Sequence, residues 1–317
     1  MGKFHNYKAI QVELWEDCNH HCAFCYLNEH RRHTSVVQRL EAIGEALEIA
    51  YTADKEYEAF GLIGGEFFDG QLETPELKKS FKNLITHLDA LISVGKFKQV
   101  WVTAALMADA RYDFKFVMED VKNKDKFLIC TSYDTKGRFR TQARREMWFN
   151  NVYFVKGMGF KVHIQTIVTS DFINEALTTD ILSQLSNGTM LDFKTPTPHR
   201  DSYIDAVLNK SGREYRDIIK ENMNKFPNNF FICDRNDFIR FLMRVKEVLG
   251  PEKLEAFCSN EVRSATLHLL SKGIVIEDRW GEGIENAPCG HPWDSYCYKD
   301  SDKCARCDAQ NILDEDD

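Results

Sequence analysis

Three cysteines, Cys18, Cys22 and Cys25, lie within eight residues in the stretch EDCNHHCAFCYL. Thiols this closely spaced serve metal or redox chemistry more often than disulfides. Structural zinc takes four ligands, normally as two separated pairs. A cubane iron–sulfur cluster that only carries electrons also takes four thiolates. Three thiolates satisfy three irons and leave the fourth open to a ligand. An open position marks a catalytic centre, as it does for catalytic zinc. His20 and His21 fall between the first two cysteines and read as surface loop residues rather than ligands.

A second group, Cys289, Cys297, Cys304 and Cys307, follows C-x7-C-x6-C-x2-C near the end of the chain, with His291 as a spare ligand. Its segment is poor in aliphatic residues and can bury little apolar surface, so a metal is the natural staple for it. Four convergent thiols give a fully ligated site, either a 4Fe–4S cluster or zinc. Cys130, Cys233 and Cys258 stand alone and read as core residues. Gly64-Gly65-Glu66 is the next candidate. Glycines let backbone approach a ligand closely, and a carboxylate suits an ammonium group. In TSYDT, alternation puts Ser132 and Asp134 on one face. Two small polar groups there suit ribose hydroxyls. A turn in which Asp134 caps the next helix is the competing reading. Gln165, Thr166, Asp192 and Lys194 are further candidates to reach a cofactor or substrate.

The elements that must position these groups alternate. Strand patterns cover AIQVELW, EYEAFGLI, KQVWVTAAL, KFLICTSYD, FKVHIQTIV and TMLDFKTP. Helical patterns lie between them. SVVQRLEAIGEALEIAY opens on a capping box, Ser35 with Gln38, and lines Val36, Leu40, Ile43 and Leu47 along one face. TPELKKSFKNLITHLDALI opens on Thr74 and Pro75. RYDFKFVMEDVKN and TQARREMWFNNVYFVKG are further helices, and DFINEALTTDILSQLS is one helix capped by Asp171. Six β-α units imply a parallel sheet whose right-handed crossovers curl it into a barrel or wind helices on both faces. The cysteine triplet follows the first strand and Gly64-Gly65-Glu66 ends the second. Beyond about residue 230 come an amphipathic helix, NDFIRFLMRVKEVLG, a hairpin in ATLHLLSKGIVIED, and the cysteine-rich tail.

With C-x3-C-x-aromatic-C after a first strand, Phe24 filling the aromatic slot, the chain resembles the radical SAM superfamily. The resemblance implies that Cys18, Cys22 and Cys25 hold a 4Fe–4S cluster whose open iron chelates the amino and carboxylate groups of S-adenosylmethionine (SAM). One electron from the reduced cluster cleaves SAM to a 5′-deoxyadenosyl radical, which takes a hydrogen atom from a substrate. It implies a partial (β/α)6 TIM-like barrel. It also implies a Gly-Gly-Glu-Pro-like motif that binds the methionine amino group, here Gly64, Gly65 and Glu66 with Phe67 in place of the proline. Ser132 and Asp134 stand where the family's fourth strand contacts the sugar. An electron donor such as flavodoxin or ferredoxin is implied as a partner. The tail resembles SPASM or twitch auxiliary-cluster extensions in placement, which ranks 4Fe–4S above zinc there. The expected α/β organisation is a barrel over 1–230 and a small cysteine-rich α+β extension over 231–317.

Composition bounds the rest. The 317 residues carry a net charge of −8, which argues against a broad nucleic-acid surface. HRRH and RFRTQARR, the basic stretches, read as solvated faces. No apolar run is long enough to span a bilayer, and the first residues lack a secretory h-region, so a cytoplasmic location is expected. The substrate is left open between a peptide or protein side chain and a nucleoside or nucleotide. The rival class is a non-enzymatic zinc-binding module with structural cysteine sites.

Overall fold

Each apolar strand run pairs with the next through a helical crossover, and the sheet that results follows chain order. The computed structural model describes residues 8–22, 25, 33–53, 56–107, 110–194, 235–254, 266–270, 274–278 and 312. Six parallel strands, β1 (Ala9–Glu13), β2 (Tyr57–Ile63), β3 (Phe97–Thr103), β4 (Phe127–Tyr133), β5 (Lys161–Ile167) and β6 (Met190–Lys194), stand side by side. The predicted hairpin is present as β7 (Thr266–Leu270) and β8 (Ile274–Asp278). It joins the same sheet, β7 lying parallel to β1. The order β6-β5-β4-β3-β2-β1-β7-β8 is linear, so the barrel is not closed.

The helices are α1 (Val36–Thr52), α2 (Pro75–Ser93), α3 (Arg111–Met118), α4 (Gln142–Gly157), α5 (Ser170–Thr178), α6 (Ile181–Ser186) and α7 (Arg235–Leu249). Ser35 and Gln38 form the expected capping box, and Thr74 caps α2 with Pro75 in its first turn. The buried stripe of α1 is Arg39, Ile43, Ala46 and Ala50, so Leu40 and Leu47 sit at its margin.

Three helix boundaries differ from the sequence reading. The segment read as one helix from Asp171 is two, α5 and α6. Thr178 and Thr179 turn their hydroxyls back onto the carbonyls of Asn174 and Glu175, the local competition that ends helices. Thr169, not Asp171, is the N-cap of α5, accepting from the Phe172 N–H at 3.2 Å. The third helix stops at Met118 because the Asp89 carboxylate accepts from the backbone N–H groups of Lys122 and Asn123, both at 3.0 Å.

One face of the sheet packs on the helices. Tyr133 and Trp148 pack at a tilt with centroids 5.4 Å apart, and the Trp148 indole N–H donates to Thr131 Oγ1 at 3.1 Å. Phe241 of α7 meets Phe172 and Phe193 at 5.8 and 5.7 Å, so this helix belongs to the same core as the strands. The other face is polar and tight. A Cβ on Gly61 would stand 2.8 Å from Gln11 Cγ and 3.5 Å from the Trp101 ring. Alternation and register carry that face on through Thr103, Cys130, His163, Ser132 and Gln165. Cys130 is half-buried on it and is not a core residue. Cys233 and Cys258 lie outside the described residues.

Candidate functional site

Beyond Glu13 the chain stays paired for one more residue, Leu14 donating to the Ile63 carbonyl at 3.0 Å, and then turns across the end of β2. The turn is stitched to the glycine loop. Gly65 N–H donates to the Trp15 carbonyl at 2.8 Å, Glu66 N–H to the Asp17 carbonyl at 2.9 Å, and the Trp15 indole N–H to the Glu66 carbonyl at 2.8 Å. Trp15 is fully buried, edge-on to Phe67 at 5.1 Å. So Phe67, where the resemblance implies proline, packs the base of the cysteine loop.

Both glycines are required by space. A Cβ on Gly64 would collide with the Trp15 carbonyl, and one on Gly65 with the carbonyls of Glu16 and Asp17. Gly65→Ala must therefore push the segment leading to Cys18 off the sheet. It should cost roughly 1–3 kcal/mol, the range for overpacking. Urea unfolding checks this; a variant with the wild-type midpoint would contradict the close approach.

Asp17 anchors the loop beside Cys18. It accepts from the Thr34 N–H at 2.9 Å, meets His33 at 3.1 Å, and pairs at 3.4 Å with Arg39, a guanidinium from α1 that is 1 % exposed. Arg39 also donates to the Gln71 carbonyl and lies over the Trp15 ring at 5.5 Å. His20 is buried rather than exposed. Its Nε2 is 2.7 Å from Asp69 Oδ2 but is not aligned for a hydrogen bond. His21 is exposed, as expected.

Cys22 is buried, whereas Cys18 and Cys25 are half-buried. Cys25 N–H donates to the Cys22 carbonyl at 3.1 Å, closing a turn, and the His20 N–H points to Cys18 Sγ at 3.4 Å. Among the described residues no three His, Cys, Asp or Glu side chains stand as a ready ligand set. The three thiols share one anchored loop. In donor type and number they fit a three-thiolate cluster. Phe24 and the tail cysteines Cys289, Cys297, Cys304 and Cys307 lie outside the described residues.

Glu66 is 1 % exposed, and both its oxygens are engaged. Oε1 accepts from the Phe68 N–H at 2.8 Å and Oε2 from the Ala105 N–H. Burial pushes its carboxyl above the usual range, while those two N–H groups pull it back. Placed so, Glu66 ties the end of β2 to the loop after β3. That loop runs on through Leu106, whose φ of 54° is rare for a branched residue. The Leu106 carbonyl is held by Asn151 at 2.9 Å.

Ser132 and Asp134 stand on the same rim, at the end of β4. The Ser132 carbonyl accepts from Arg138 at 2.5 Å and its side chain is half-buried. Asp134 is buried, accepts from Thr169 Oγ1 at 3.2 Å, and burial raises its carboxyl. It does not cap the next helix; Thr141 does. Arg140 joins the two parts of the rim by donating to the His21 carbonyl at 3.3 Å. Arg145 pairs with Glu175, so the basic stretch RFRTQARR is partly structural. Thr166 faces the helices and is fully buried, whereas Gln165 faces the other way, in register with Ser132 and Asp192. Of the Lys194 side chain nothing is described.

Asp17, Arg39 and Leu106 escaped the sequence reading. No motif marks Arg39; its partners come from 22 or more residues away in the chain, and only the fold brings them together.

No protein-family model matches the chain, and no curated protein matches it. Solved structures do. Native anSMEcpe with bound AdoMet superposes with a TM-score of 0.53 at 13% identity, over 97% of this chain and 96% of that one. The same protein with bound AdoMet and Kp18Cys peptide gives 0.51 at 12% identity, over 97% and 96%. Streptococcus suis SuiB bound to precursor peptide SuiA gives 0.46 at 11% identity over 85% of this chain, which spans 59% of the SuiB chain. The six-stranded parallel sheet with its outer helices, open at the edge, has the partial TIM-barrel fold of the radical SAM enzymes.

Proposed function

We propose that this protein is a radical SAM enzyme acting on a peptide or protein side chain. The observation that carries the reading is the Cys18, Cys22, Cys25 loop, which leaves the C-terminal end of β1 and is pinned there against Gly64 and Gly65. Strand C-terminal ends are where barrels place their chemistry. A 4Fe–4S cluster on the three thiols would supply one electron to SAM and so generate a 5′-deoxyadenosyl radical. Asp17 and Arg39 hold the loop that carries the thiols. The Gly64-Gly65-Glu66 turn offers backbone at close range for the methionine end of SAM, and Glu66 braces that turn from within. Ser132 and Asp134, at the end of β4, would be the polar groups offered to the ribose. The peptide reading is supported by the likeness to anSMEcpe, a protein seen with AdoMet and a peptide bound. A donor such as flavodoxin or ferredoxin would deliver the electron.

The test is SAM cleavage. Anaerobically reconstituted, dithionite-reduced protein should convert SAM to 5′-deoxyadenosine and methionine, read by chromatography. Absence of 5′-deoxyadenosine from iron-loaded, reduced protein would sink the reading.

In this reading the barrel strands lie within residues 1–230, and 231–317, whose α7 and β7–β8 hairpin join the barrel's own core and sheet, carry the extension with its own metal on Cys289, Cys297, Cys304 and Cys307. A Cys304→Ala, Cys307→Ala double variant should keep the barrel iron and SAM cleavage while losing the metal of the tail. Full metal content in that variant would show that the four cysteines are not one site. Among the described residues no helix is long and apolar enough to cross a membrane; a cytoplasmic location is part of the proposal.

A further inference from the structure

On the polar face of the sheet, three neighbouring strands contribute one side chain each to a connected chain. Cys130 of β4 lies 3.9 Å from Nδ1 of His163 on β5, and Nε2 of His163 lies 2.8 Å from Oδ2 of Asp192 on β6. Register explains the meeting. Cys130 is paired with His163, and Asp192 is one same-face step beyond the residue paired with His163. All three belong to the side of the sheet turned away from the helices. Cys130 is one step, about 7 Å, from Ser132 along its strand. None is sealed in: Cys130 is half-buried, His163 is 12% exposed and Asp192 36%.

The chemistry follows from the two ring nitrogens. A neutral imidazole carries one N–H, and an ionised carboxylate can only accept. Asp192 therefore draws the proton to Nε2 and leaves the Nδ1 lone pair directed at the thiol. The Cys130 proton has a second acceptor, the Leu128 carbonyl at 3.8 Å, which competes as a neutral backbone oxygen. Transfer to Nδ1 instead yields an imidazolium flanked by a thiolate and a carboxylate, the arrangement that activates cysteine nucleophiles. On the β3 side the register partner of Cys130 is Thr103, which is uncharged.

We propose that Cys130 is a nucleophilic thiol, activated by His163 and oriented through Asp192, that bonds to an electrophilic carbon of a ligand on the polar face of the sheet. In that step Sγ supplies the electron pair of the new S–C bond. The leaving group departs with the pair of the bond that breaks, and the thiol proton passes to His163 Nδ1. No oxidant or reductant is consumed. Neither cluster nor SAM takes part, so the inference stands or falls separately from the function proposed above.

The probe is iodoacetamide, in which iodide is the leaving group. The reconstituted full-length protein is labelled at neutral pH under argon, and alkylation is followed residue by residue by mass spectrometry of its peptides. Cys130 should be alkylated at least about tenfold faster in wild type than in His163→Gln, where the base is absent, and several-fold faster than in Asp192→Asn. Circular dichroism checks that each variant is folded. Should His163→Gln fail to fold, the half-exposed Asp192→Asn carries the comparison. Equal Cys130 rates in wild type and the folded variants, or labelling of Cys130 only after denaturation, would overturn the proposal.

Discussion

Replacing Cys18, Cys22 and Cys25 together by alanine should abolish SAM cleavage and remove the barrel iron, leaving only metal held by the tail. The expected effect is total because the three thiols act as one ligand set. Among the described residues the remaining cysteine is Cys130, on β4, away from the loop. The fold should survive. The loop is held by Asp17, Arg39, Trp15 and the backbone bonds to Gly65 and Glu66, none of which uses a cysteine side chain. Circular dichroism should therefore change little while iron content falls and 5′-deoxyadenosine production drops to background. A triple variant that kept the iron of the wild type would remove these thiols from the site.

Glu66→Ala should be among the most destabilising single changes in the barrel. The carboxylate satisfies two buried backbone donors, those of Phe68 and Ala105. A buried donor left without its partner costs about 1–3 kcal/mol, so the variant should lose roughly 2–5 kcal/mol. With it goes the tie between the ends of β2 and β3, and SAM affinity should fall as the glycine turn loosens. Calorimetric titration with SAM and urea unfolding read the two effects; unchanged values in both would show that Glu66 braces nothing.

The same residue sets a pH dependence. Burial raises the Glu66 carboxyl above its ordinary value of 4.5 in the folded chain. For a group with a raised folded pKa, the stabilisation is fully present below the unfolded pKa and is lost as pH rises through the folded one. Glu66→Gln does not titrate. The stability of wild type relative to Glu66→Gln should thus be greatest below about pH 4.5 and decline as pH rises above it. Urea midpoints of both proteins between about pH 4 and about pH 8 test the sign; a margin that widens with pH would reverse it.

The succession of strands and helices was legible in the sequence because period-2 and period-3.6 patterns are local. Ser35 with Gln38, and Thr74 with Pro75, mark their helix starts by chemistry contained in a few residues. Helix ends were less legible where a distant group intervenes. Asp89 takes the amides that would continue α3, and it lies more than 30 residues away in the chain. The candidate site was legible where spacing alone defines it, at Cys18, Cys22 and Cys25 and at Gly64 and Gly65. The meeting of Cys130 with His163 depends on inter-strand register, which no single-strand pattern encodes; the bracing by Glu66 and the burial of Arg39 depend on loops that only the fold brings together.

Metal and sulfide analysis of protein purified without oxygen tests the central claim most directly. It should find about four irons and four acid-labile sulfides on the barrel thiols, lost in the Cys18, Cys22, Cys25 triple variant. Zinc without sulfide at those thiols would contradict it and favour a structural zinc-binding module.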